Sequence, residues 1–164
     1  MIILAGGGGL TNKRVHRRIK NRFQSDSAFG TVQLRVATSR ESGPYRVVTT
    51  TDPREFFDDA GYPVNQARLE IGFDVERRSG RDCYWISWVE PARQFLLSWH
   101  QDDDHAERGP VHLQLQQSDG ITLRERASHI DAHPMAVIEE RVAQLPDLVR
   151  AVEWDGDTIT GIQW

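Results

Sequence analysis

The sequence predicts an α+β domain built on a mostly antiparallel meander sheet. It carries a short N-terminal basic helix, a short helix near 53–60 and a C-terminal helix near 134–150 packed on one face. Three observations predict this. Short segments of period-two apolar alternation follow one another from residue 31 to residue 124, each closed by a turn signal. Helical spacing is confined to the two ends and to one stretch after Asp52-Pro53. A run of strands with helices at its ends fits an antiparallel sheet better than alternating βαβ units.

In chain order, Gly6–Gly9 read as a flexible lead, because GGGGLTNKR has neither of the glycine spacings that cradle phosphate. Val15, Ile19 and Phe23 then recur at four-residue spacing among basic residues, which makes a short amphipathic helix. Residues 1–24 are taken as a flexible Gly-rich and basic arm, and residues 25–164 as one α+β domain. Segments 31–37 (TVQLRVA) and 45–51 (YRVVTTT) are rich in β-branched residues around Ser42-Gly43-Pro44, a hairpin pattern. Asp52 and Pro53 suit the N-cap and N1 positions of a helix that Gly61 ends.

Segment 67–77 alternates Ala67, Leu69, Ile71, Phe73 and Val75 with charged residues, so one face is buried and the other wet. After the turn at Arg78–Arg81, segment 82–90 (DCYWISWVE) is apolar on both faces, as expected of a central strand covered on both sides. Strands follow at 95–100, 111–117 and 121–124, the last two joined by Ser118-Asp119-Gly120. Met135, Val137, Ile138, Val142 and Leu145 give the last helix its apolar stripe. Ser128 or Asp131 is its expected cap, and Pro146 is expected to kink or end it. Glu153–Trp154, Asp155-Gly156-Asp157 and segment 158–164 read as a closing hairpin.

The chain of 164 residues fits one domain, and 38% apolar with 27% charged residues describes a polar but foldable sequence. The net charge of −4 conceals an asymmetry. Residues 1–24 carry six basic side chains and no acid, so the remainder carries −10. A basic arm on an acidic body suits nucleic-acid binding, or equally a solvated helix face. Cys83 is the only cysteine, which excludes an internal disulfide and a thiolate metal cluster, and its strand context suits a buried thiol. No segment approaches the roughly 20 apolar residues that span a bilayer, and the start lacks a signal-peptide pattern. A cytoplasmic protein without a membrane partner is expected.

Titratable groups are densest in residues 95–117, FLLSWHQDDDHAERGPVHLQLQQ. With Trp99 and Val111 facing the core, His100 and His112 leave by the opposite face of neighbouring strands, beneath His105 and Asp102–Asp104. Three readings remain open. His105 and His112, supported by His100 and Asp104, suit general acid–base cleavage of RNA, since imidazoles titrate near neutrality. The same histidines could make a facial metal set, although no strict metal spacing is present and no metal or cofactor is assigned. The third reading is a solvated acidic loop. Arg108 and the basic residues Lys13, Arg14, Arg17, Arg18, Lys20 and Arg22 are candidate phosphate contacts, opposed by the repulsion of the acidic loop. His129, His133 and Asp131 precede the last helix, where capping is the simpler role.

From about residue 69 to 145 the chain resembles the TumE-like toxins of toxin–antitoxin operons. The resemblance is carried by the order YWISWV, FLLSWHQDDDH, PVHLQL and HIDAHPMAVIEERV, with Trp99, Asp102–Asp104, His105 and His112 matching the family's aromatic–acid–histidine order. It implies a small growth-inhibiting toxin acting on RNA or the translation machinery. Its implied partner is a helix-turn-helix antitoxin.

Overall fold

The computed structural model describes residues 10–37, 43–77, 82–103, 107, 109–117, 120, 122–130 and 132–164. Seven strands form one antiparallel sheet in sequence order: β1 (Val32–Val36), β2 (Tyr45–Thr51), β3 (Ala67–Asp74), β4 (Cys83–Glu90), β5 (Phe95–Gln101), β6 (Val111–Gln117) and β7 (Thr122–Arg126). Each strand pairs only with its neighbours in the chain, which is the meander the alternating segments predict. A second, two-stranded sheet of β8 (Val152–Asp155) and β9 (Thr158–Ile162) closes the chain. The fold is α+β.

Three helices cover one face: α1 (Asn12–Gln24), the single turn α2 (Pro53–Phe56) and α3 (Pro134–Arg150). The apolar partners Val47, Ile71, Ile86, Trp99 and Leu113 lie across from one another in register. They enter one continuous core with Val15, Ile19 and Phe23 of α1 and with Val137, Ile138, Val142 and Leu145 of α3. Phe56 stacks on Trp88, Phe57 meets the same indole at a tilt, and Phe95 meets Trp154 edge to face. Gly43 turns the chain at φ 71°, where a Cβ would approach the Phe73 carbonyl oxygen to 2.9 Å. Among the described residues, no helix is long and apolar enough to cross a membrane.

Several expectations are corrected. Residues 12–24 belong to the folded body, because Val15, His16, Ile19 and Phe23 are buried. A stripe of four-residue spacing gives α1 enough apolar surface to dock. The Gly6–Gly9 lead lies outside the described residues, as do Ser42, the Arg78–Arg81 turn, Ser118 and Asp119. α2 stops at Phe56 rather than Ala60, with Asp58 in the left-handed region at φ 50°. Its Asp52 cap and Pro53 are as expected. α3 runs through Pro146 to Arg150, and its N-cap is His133, whose Nδ1 accepts from the Met135 N–H. Asp131 lies outside the described residues, and Ser128 instead offers its carbonyl to Arg141. β4 is the central strand, but helices cover only one of its faces.

Candidate functional site

Strand pairing places His100 directly opposite His112. Period two sends Leu97, Trp99, Leu113 and Leu115 into the core and both imidazoles to the helix-free face. The rings lie 5.1 Å apart, centroid to centroid, tilted by 38°. Asp102 follows His100 by two residues and brings its Oδ2 to 3.7 Å from His100 Nδ1. One donor atom from each of His100, Asp102 and His112 lies within 4.8 Å of the others.

The two imidazoles differ in access. The His100 side chain keeps 30% of its surface exposed, whereas His112 keeps only 1%. A proton-transfer group must come within hydrogen-bond reach of its substrate. His100 meets that condition from solvent and His112 does not. His105, Asp104 and Arg108 lie outside the described residues. His129 is exposed on the connection before α3, and His133 is engaged in capping it.

The cluster is part of a lateral row on the open face. In register across the sheet run Gly72, Trp85, His100, His112 and Arg126. Arg46 reaches over Gly72 and sets its guanidinium 3.7 Å above the Trp85 ring. Gly72 is required for this, because a Cβ there would stand 2.6 Å from Arg46 Nη1. Desolvation lowers the Arg46 pKa to about 10, with Glu70 opposing. A guanidinium stacked on indole is a cation–π pair, and Arg46 Nη1 also donates to the Tyr45 carbonyl at 2.5 Å.

Register also fixes the charge of this face. Among the described strand residues it carries Arg35, Arg46, Arg68, Arg124 and Arg126 against Glu70 and Asp74, with Asp102 just beyond β5, so these residues are net positive on a chain of net −4. Arg68 pairs with Glu70, and Arg124 donates to Gln114 Oε1 at 3.2 Å. Beside Asp102, Arg77 donates to the Cys83 sulfur and to Asp103 Oδ2 at 3.2 Å. Burial pushes the Cys83 thiol up and the Arg77 charge opposes, so Cys83 is a buried structural thiol.

The basic residues of α1 occupy a different surface. Lys13, Arg14, Arg17 and Arg18 are exposed, and Lys20 is half-buried, on a helix that packs against the opposite face of the sheet. Arg22 is held by Glu139 at 2.5 Å and Asp26 at 2.9 Å. A strand bound along α1 is separated from the histidines by the whole sheet. A groove of about 760 Å³ beside Arg93, Gln117 and Trp154 lies at the far end of β5 from His100. Its arginine is already stacked on Trp154 at 3.7 Å.

Sequence reasoning located the histidine pair and missed Arg46, Trp85 and Arg126. Alternation within one strand gives the face of a residue, whereas neighbours across strands depend on register. The available signal was the aromatic and the arginines at outward-facing positions, without the pairing that aligns them. No protein-family model, curated protein or solved structure matches this chain.

Proposed function

We propose that the open face of the sheet binds single-stranded RNA, with the strand passing His100. The carrying observation is the row in which Arg46 stacks on Trp85 beside the His100–His112 pair. Single strands are bound where a positively charged surface tracks the phosphates and planar groups offer stacking faces to bases. The net-positive face of an acidic chain supplies the first, and the Trp85–Arg46 stack and the His100 ring supply the second. RNA as the target is what the resemblance to TumE-like toxins implies. In this reading His100 is the imidazole that meets the strand, oriented by Asp102 at 3.7 Å.

The test is fluorescence anisotropy with a labelled single-stranded RNA at low salt. Trp85→Ala and Arg46→Ala should each weaken binding by about tenfold, the usual worth of one stacked base. Affinity unchanged from that of the intact protein in both variants, or no binding by the intact protein, would sink the proposal. The toxin role makes a parallel demand: expression should arrest growth, and the Trp85→Ala variant should relieve that arrest.

A further inference from the structure

We propose that His100, Asp102 and His112 form a binding site for one divalent transition-metal ion of the zinc, iron, manganese or cobalt type. The site stands on the geometry of the cluster and holds whether or not RNA binds to the same face. Imidazole nitrogens and carboxylate oxygens ligate such ions at about 2.0–2.2 Å, so neighbouring donors around the ion stand roughly 3–3.5 Å apart. Here the His100–Asp102 pair is already at 3.7 Å and the whole set lies within 4.8 Å. Closing on an ion needs side-chain rotation at the end of β5 and no movement of the backbone.

The backbone is the second support. His100 and His112 are direct cross-strand partners near the end of β5 and the start of β6, and His100 and Asp102 are two residues apart along one chain. A rigid sheet therefore sets the spacing of three ligands from two strands, with His100 reachable from solvent. Two imidazoles with one carboxylate favour transition metals over magnesium or calcium, which take oxygen donors. The enclosure of His112 also fits. An imidazole that ligates a metal through its ring nitrogen needs no contact with solvent. Arg126, in register with His112, opposes a bound cation, the nearby Asp103 is already paired with Arg77, and the Asp102 carboxylate supplies the charge that offsets Arg126.

The experiment uses the untagged full chain, stripped with chelator and titrated with cobalt(II) as an optical probe. One equivalent should bind, giving the visible absorption of mixed nitrogen and oxygen coordination, and zinc should displace it. His100→Ala and Asp102→Asn alter accessible side chains and should keep the fold by circular dichroism. Each should weaken cobalt binding by at least about tenfold. Failure to bind one equivalent, or binding that survives both substitutions, would overturn the site. RNA affinity measured on the metal-free protein separates the two proposals, because loss of the metal site leaves the Trp85–Arg46 contribution intact.

Discussion

At the scale of single residues, two positions hold more than their sequence context announces. Gly72 leaves the space through which Arg46 crosses β3 to reach Trp85. Gly72→Ala should displace the guanidinium, whose flexible end can move, so the fold persists at a cost of about 1 kcal/mol or less. The tryptophan emission and the RNA affinity should both change, and an unchanged anisotropy titration would detach Arg46 from binding. Arg141 is 0% exposed on α3 and donates to the Ser128 carbonyl, to Tyr84 Oη at 3.3 Å and to Gln144 Oε1 at 3.0 Å, above the Trp99 ring. It ties the connection after β7 to the helix and sheet. Arg141→Ala should lower stability by about 3 kcal/mol, and Arg141→Met by less because the stem packing survives. Urea unfolding of the two variants measures the difference. Its spacing, four residues after Val137 and four before Leu145, places Arg141 on the apolar stripe of α3, where its charge alone would not suggest burial.

At the scale of elements, α1 is fixed to the sheet by a histidine. His16 is fully buried, with Nδ1 2.6 Å from the Asn12 carbonyl and Nε2 accepting the Phe73 N–H at 3.1 Å. Nε2 must therefore carry no proton, and burial lowers the His16 pKa below 6.5, with Arg46 adding to this and the Asn12 and Tyr45 carbonyls and Asp74 opposing. The folded state resists protonation while the unfolded imidazole accepts it. The stability His16 contributes is therefore complete above about pH 6.5 and is lost as pH falls below that value toward the lowered folded pKa. The urea midpoint should drop between about pH 7.5 and pH 5, and His16→Gln should flatten that dependence. An unchanged slope in the variant would assign the effect to another group. β5 and β6 show the same element-scale logic at the candidate site, since one register places His100 opposite His112 and a slip of one residue would bury one of them in the core.

At the scale of the whole molecule, α1, α2, α3 and the apolar core lie on one side of the sheet, and the described strands present Arg35, Arg46, Arg68, Arg124 and Arg126 on the other, on a chain of net −4. RNA binding there should weaken with salt. Replacing Arg124 and Arg126 together by alanine should reduce the slope of log affinity against log salt by about 1.4, the release expected for two phosphate contacts on a single strand. An unchanged slope would move the phosphate contacts elsewhere. Substitution of Lys13, Arg17 and Arg18 should leave the slope alone, because α1 presents them beyond the opposite face of the sheet. The meander, nearly every strand and both long helices were legible in the sequence, because alternation and four-residue spacing are local consequences of burial on one face. The direction in which His100 and His112 leave their strands was legible for the same reason. The alignment of Trp85, Arg46 and Arg126 with them was not, nor was the enclosure of His112 or the docking of the basic helix on the far side. Each of those depends on register and on which elements come to share a face, and these are set only when distant segments pack together.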